Sequence, residues 1–293
     1  MTVTADTDAS SAPKNVAIIG CGNIARRYVT GMSRYNSLRL VGVADVVQQL
    51  ADTLASEVGV RAYASVPDLL ADPTVDIVVN ITPPAVHAAV TLDALAAGKN
   101  VYVEKPIAAV TSDARQMIAD ARDHGKLIGV APDTFLGSAG QTARAAIDDD
   151  ILGDVIGFTA FVTYSKAETW HPNPTFLFQP GGGPALDLGP YYLTQLVQLL
   201  GPIETVTAFT RIGVPTRTVT TEGRTVDPID VNVPPHGAAT LRFASGATRP
   251  LVLSFDIWYP TLPKLETYAA RGPLFLPDTP AFHGHVLSPR HPA

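Results

Sequence analysis

The residues with the plainest chemical meaning stand at a few turns of a 293-residue chain. Gly20-Cys21-Gly22-Asn23-Ile24-Ala25 has the spacing G-x-G-x-x-A, directly after the apolar run 16–19 and at the opening of a helical stretch. Gly20 permits a tight turn, Gly22 lets backbone approach a pyrophosphate, and small Ala25 lets helix pack close to strand. The helix N-terminus offers N–H groups and a partial positive charge to phosphates, with Cys21, Asn23 and Ile24 completing the loop. Asp45 follows 25 residues after Gly20, at the end of a second apolar run, 38–44. A carboxylate there accepts hydrogen bonds from ribose hydroxyls and repels a 2′-phosphate. Val46 and Val47 bring no arginine to receive that phosphate, so NAD is expected over NADP. Asp45 also suits the N-cap of the next helix.

Glu104-Lys105-Pro106 ends the apolar run 100–103. In open α/β sheets the carboxyl ends of strands face the ligand crevice, which sets these side chains beside a cofactor. The chain has only six lysines. One next to apolar strand residues loses hydration, which brings it toward a range useful for acid–base work; pairing with Glu104 at the surface is the plainer alternative. Pro106 is a candidate cis peptide. Asn80-Ile81-Thr82-Pro83-Pro84, with His87 three residues on, likewise follows an apolar run. Thr82 and Pro83 fall beside the cofactor in this reading, and His87 either faces the cleft or is a hydrogen-bonded structural histidine.

The elements that must position these residues follow from periodicity. Apolar runs at 16–19, 38–44, 75–80, 100–103 and 126–130 alternate with helical stretches at 24–34, 46–57, 85–97 and 111–124. That rhythm predicts βαβ units and a doubly wound parallel sheet, a Rossmann-type domain over 15–137 after an irregular, disordered arm at 1–14. From about 151 the pattern changes. Residues 155–164 alternate, 237–244 and 248–258 flank a Ser245-Gly246 hairpin turn, and Leu193, Leu196, Val197 and Leu200 mark one helix. The second domain, 138–280, is expected to be a mixed, mainly antiparallel sheet with a helix, followed by an irregular tail at 281–293.

Composition removes other classes. Hydrophobic residues make up 46% and charged residues 16%, enough for a sizeable core. Lys plus Arg is 21 against 27 Asp plus Glu, a net charge of −6 that gives no general pull toward nucleic acid or anionic membrane. The single Cys21 excludes an internal disulfide, no Cys/His group has metal spacing, and no apolar run is long enough to span a bilayer. Three histidines near the end, His283, His285 and His291, read as part of the tail rather than a metal site. A cytoplasmic protein is the expectation.

The glycine turn, Thr82-Pro83-Pro84-x-x-His87 and Glu104-Lys105-Pro106, in this order and spacing, resemble the Gfo/Idh/MocA family of glucose–fructose oxidoreductase, inositol dehydrogenases and related sugar or polyol dehydrogenases. The resemblance covers about residues 15–280. It implies an NAD(P)-binding Rossmann domain, then an open-faced sheet that serves as substrate wall and oligomer contact, in a homodimer or homotetramer. Gly181-Gly182-Gly183-Pro184-Ala185-Leu186-Asp187-Leu188-Gly189-Pro190-Tyr191 is similar to the family's glycine run and D-x-G-x-H. By that likeness Asp187 is catalytic, beside Lys105, and Tyr191 takes the place of the histidine. If one helix begins near 187, the two share a face; a plain N-cap is the other role for Asp187. A phenol near an ammonium exchanges a proton less readily than imidazole, and His171 is a candidate to supply the missing ring. Trp170, His171, Asn173, Phe176 and Phe178 suit a sugar ring, or pack as a loop over the sheet. Relatives continue beyond the matching late strands at 265–276, so a shortened C-terminus is expected to leave a sheet edge exposed.

The activity implied is hydride transfer between a nicotinamide cofactor and a secondary alcohol or ketone of a sugar, sugar acid or cyclitol. The alternatives are a dinucleotide-binding protein without turnover, and an imine or enone reductase on the same scaffold.

Overall fold

Short apolar runs set between helices become six strands: β1 (Lys14–Ile19), β2 (Leu38–Ala44), β3 (Arg61–Ala62), β4 (Ile77–Asn80), β5 (Asn100–Val103) and β6 (Ile128–Val130). They lie in the order β3-β2-β1-β4-β5-β6, with every pairing parallel. The order runs outward from β1 and then returns to its other side, so the crevice opens at the carboxyl ends of β1 and β4. These strands read as continuous apolar runs because both faces are covered. Val16 and Ile18 pack with residues of α1 (Ala25–Met32) and α2 (Gln48–Val58). Ala17 and Ile19 face the opposite layer of α3 (Val66–Ala71), α4 (His87–Ala96) and α5 (Thr111–Asp123).

The computed structural model describes residues 12–165, 167–171, 173–221, 228–280 and 284–288. The chain divides into two compact units, Met1–Ala131 and Pro132–Ala293. The division falls ahead of the expected boundary at 137, because the short turn Thr134–Leu136 packs on α6 (Ser138–Asp148). Gly137 and Gly140, which suggest a turn in the sequence, stand at the N-cap position and in the first turn of α6. Gly140 is a packing glycine: a Cβ there would lie 2.1 Å from the Phe135 carbonyl oxygen.

The second unit continues with β7 (Val155–Thr163), α7 (Ala167–Trp170), α8 (Gly183–Asp187), α9 (Gly189–Leu200) and β8 (Ile203–Arg211). A small ribbon of β9 (Thr216–Arg217) and β10 (Ile229–Asp230) follows. Then come β11 (His236–Phe243), β12 (Thr248–Ser254), β13 (Leu265–Ala269) and β14 (Gly272–Leu276). The large sheet runs β14-β13-β7-β12-β11-β8 and is antiparallel except where β7 meets β12. This is the mixed, mainly antiparallel sheet expected, with the hairpin at Ser245-Gly246 in place. Phe158, Ala160 and Val162 of β7 are buried against Tyr192, Leu196, Leu199 and Leu200 of α9. Of the expected helix stripe, Leu196 and Leu200 are buried and Leu193 packs on the core, whereas Val197 is 43% exposed and Tyr192 and Leu199 join the core. The other face stays open, with Phe209 on edge strand β8 81% exposed. Edge strand β14 is bridged at Phe275 by Leu287, so part of the expected tail is ordered. The arm up to residue 11 and the remainder of the tail, with His283 and His291, lie outside the described residues. Among the described residues no helix is long and apolar enough to cross a membrane.

Candidate functional site

The glycine turn leaves β1 at Gly20, whose φ of +104° lies in the left-handed region. A Cβ there would stand 2.8 Å from the Ile81 carbonyl, so both backbone angle and the close pass of the β4 loop demand glycine. A Cβ on Gly22, in contrast, would meet nothing of the protein within 4 Å. Chain packing does not explain that second glycine; close approach of a ligand does. Among the described residues no protein acceptor meets the N–H groups of Gly22, Asn23 and Ile24, the orphan donors ahead of α1. Ala25 is fully buried against the sheet, as the spacing predicted.

Asp45 ties this turn together. One carboxylate oxygen accepts from the Cys21 N–H at 2.7 Å, and the other from the Val47 N–H at 2.8 Å. It does not cap α2, whose N-cap position is Val47. A carboxylate has about four acceptor positions, so these two bonds leave room for ribose hydroxyls. Cys21 gives its N–H to Asp45, and its thiol is buried against the Ala44 carbonyl. Burial, reinforced by Asp45, pushes the thiol up to about 12, so it stays protonated.

The loops after β4 and β5 are braced by His87. Its ring is 1% exposed, with Nδ1 at 2.7 Å from the Pro106 carbonyl and Nε2 at 2.7 Å from the Thr82 carbonyl. His87 therefore joins two loops through both ring nitrogens, as in the hydrogen-bonded structural role of the two read from sequence. Asn80, fully buried, donates to the His87 carbonyl and to Thr91, and accepts from the Thr82 hydroxyl at 2.6 Å. Thr82 and exposed Pro83 stay at the carboxyl end of β4. The Lys105–Pro106 peptide is cis. Glu104 is held by the Tyr28 hydroxyl at 2.8 Å and by the Lys105 N–H at 2.7 Å, which fixes the backbone from which the lysine leaves. Tyr28 carries no local sequence signal of that contact, since it lies 76 residues from Glu104 along the chain.

In the second unit Asp187 ends α8 and Tyr191 lies in the first turn of α9, with Leu188 between the helices. The two residues therefore flank a helix break instead of sharing one continuous helix, and Asp187 is not an N-cap. The glycine run explains the break's approach: a Cβ on Gly182 would stand 2.2 Å from the Phe176 carbonyl oxygen. Tyr191 packs on the unit's core. His171 follows α7, with its ring edge-on to Trp170 and Phe176 at 5.5 and 5.3 Å. Its Nδ1 accepts the Asn173 N–H at 3.0 Å. Burial lowers its affinity for a proton, and the Asp187 charge opposes the shift. The neutral ring with Nδ1 accepting carries its proton on Nε2, so His171 presents a donor, and the Asp187 charge is felt at the ring. Trp170 is 63% exposed and free to stack, whereas Phe178 is fully buried against Phe255 and Arg217 and leaves the set of sugar-facing aromatics. The Pro172 of that loop lies outside the described residues. Arg217, with Glu168 and Asp256 on either side, anchors the irregular stretch after β8 to α7 and to the end of β12.

Residues 14–131 match the family described as "Oxidoreductase family, NAD-binding Rossmann fold", and residues 141–274 match the "GFO/IDH/MocA C-terminal domain". The chain is 31% identical over 175 residues to 1,5-anhydro-D-fructose reductase of Ensifer adhaerens, covering 58% of this chain and 52% of that protein. It is 30% identical over 200 residues to D-glucoside 3-dehydrogenase of Escherichia coli strain K12, covering 66% and 55%. These matches span about half the length of those relatives. A crystal structure of an NAD-binding oxidoreductase from Klebsiella pneumoniae superposes with a TM-score of 0.82 at 25% identity, over 95% of this chain and 76% of that one.

Proposed function

The chain belongs to the Gfo/Idh/MocA family of oxidoreductases, and from that premise we propose that it is an NAD-dependent dehydrogenase acting on a secondary alcohol of a sugar, sugar acid or cyclitol. The observation that carries the reading is the glycine turn: a forced glycine at 20, a glycine at 22 with no steric reason inside the protein, and a carboxylate at the end of β2. Gly22, Asn23, Ile24, Asp45, Thr82 and Pro83 would hold NAD, which when bound supplies the hydride acceptor for the alcohol carbon. Asp45, with Val46 95% exposed beside it and no arginine adjacent, supports NAD over NADP. The sugar substrate is supported by the two curated relatives, which act on an anhydrofructose and a glucoside by name.

In this reading Lys105 holds the proton that leaves the substrate hydroxyl, and Glu104 with Tyr28 fixes its backbone. Asp187 and Tyr191 orient the sugar, the His171 Nε2–H donates to a hydroxyl, and Trp170 offers an apolar face to the ring. A homodimer or homotetramer joined through the open sheet face is supported by Phe209.

The test is a panel of sugars and polyols with NAD, followed at 340 nm, on wild type and Lys105→Met. The expected outcome is turnover by wild type, a loss of about 10²–10⁴-fold in kcat on removing the ammonium, and an NAD affinity changed less than about twofold. Equal loss of both in a folded variant contradicts the role given to Lys105. NADH bound by wild type without turnover of any substrate would point to the binding-only alternative.

A further inference from the structure

A half-buried carboxylate that the proposed chemistry does not use, Asp278, lies in the segment after β14. One oxygen of Asp278 accepts the Tyr164 hydroxyl at 2.7 Å, and the other accepts the Tyr192 hydroxyl at 2.5 Å. Tyr164 directly follows β7, and Tyr192 is a fully buried residue in the first turn of α9. Burial, with Asp278 adding to it, pushes both phenols well above their ordinary range, so both keep their protons and donate. Asp187 adds a smaller push on Tyr164, which sets its charge in the neighbourhood of that hydroxyl. From the other side, Lys264 donates to the Thr163 carbonyl at 2.6 Å and stands 4.0 Å over the Tyr164 ring. Burial lowers the Lys264 ammonium's hold on its proton and Asp278 opposes that.

The junction between α8 and α9 needs such outside support. The N-cap of α9 is Leu188, with no side-chain cap, so a tether from elsewhere in the fold adds to the backbone bonds that hold this turn. Tyr192, the next residue, carries a polar tether from that turn to a partner 86 residues away.

We infer that Asp278 is a positioning residue for Asp187 and Tyr191: by clamping Tyr192 and Tyr164 it sets the start of α9 and the end of β7 together. The inference rests on the reading above, in which Asp187 and Tyr191 serve the sugar. Asp278→Asn keeps the shape but offers an acceptor to only one phenol and turns an N–H₂ donor toward the other.

The experiment compares wild type, Asp278→Asn and Tyr192→Phe in NAD affinity, in kcat and KM with the best sugar of the panel, and in the pH profile of kcat/KM. Positioning predicts a fall of at least about tenfold in kcat/KM and a moved limb in the pH profile, with NAD affinity within about twofold of wild type. Wild-type kcat/KM and an unmoved profile in folded Asp278→Asn would overturn it; should that variant not fold, Tyr192→Phe is read by the same criteria. If wild type binds NAD yet oxidises no sugar, the functional reading has failed, and amide exchange of residues 188–193 decides the clamp. Exchange at least about tenfold faster in the variant supports it, and unchanged protection overturns it.

Discussion

Asp45 and Asp278 each use both carboxylate oxygens to hold a functional turn, yet they do so with different donors. Asp45 takes two backbone N–H groups, one of them only two residues away and the other 24. Asp278 takes two phenolic hydroxyls, 114 and 86 residues upstream. Backbone donors survive any side-chain change except one that moves the backbone itself. Side-chain donors are lost to the removal of a single oxygen. The Asp45 turn is therefore held by backbone geometry, whereas the Asp278 contact joins side chains that are distant in the chain.

The strongest challenge to that contrast is Arg217→Met in the second unit. It leaves Glu168 and Asp256 without their shared cation at a site where the arginine side chain is only 10% exposed. Removing one partner of a buried ion pair costs about 3–5 kcal/mol. Urea unfolding is expected to show that loss, with NAD affinity in the folded protein unchanged; a loss below about 1 kcal/mol would mean the network is not a determinant of the unit. Next in size is Gly20→Ala. The combination of φ +104° and a Cβ 2.8 Å from the Ile81 carbonyl predicts about 1–3 kcal/mol of strain and the loss of an NAD-induced thermal shift. Gly22→Ala, which meets no protein atom, is expected to leave stability within about 0.5 kcal/mol and still weaken NAD.

Asp45→Asn sharpens the comparison further. The amide retains one acceptor for a backbone donor but loses the charge, so NAD binding is expected to weaken about tenfold while NADP binding tightens, by calorimetric titration. Unchanged relative affinity for the two would remove Asp45 from the selectivity argument. The smallest effect is on Cys21. Its folded pKa is raised from 9.0 to about 12, so the thiol's contribution to stability is complete below pH 9 and declines as pH rises toward 12. The stability margin of wild type over Cys21→Ala is expected to narrow between pH 8.5 and about 10, and native-state alkylation of Cys21 at pH 8.5 to be slow beside that of the unfolded chain. A pH-independent margin would contradict this.

The same division explains how much was legible in the sequence. The parallel sheet, the glycine turn, Asp45 and the cis Lys105–Pro106 peptide follow from runs, spacing and single-residue geometry, all within the first unit. What was lost there is side-chain direction. His87 was placed on the right turn, but only its two carbonyl partners, Thr82 and Pro106, show that it faces inward. In the second unit the mixed sheet and its hairpin could be read from alternation. The break at Leu188 could not, because the four-residue spacing of Asp187 and Tyr191 suits a continuous helix just as well. Nor could α6, whose Gly140 has the look of a turn and the function of a close contact. The tyrosines on Asp278 carry no local pattern at all, since their pairing depends on strand order across the whole sheet.

The central claim is that a dinucleotide rests on the Gly20–Ala25 turn with its ribose at Asp45. Isothermal titration of the full chain with NAD and with NADP tests it most directly. One saturable site per chain, tighter for NAD and abolished by Gly20→Ala, is the predicted result. A folded protein that takes up neither coenzyme at millimolar concentration would contradict it.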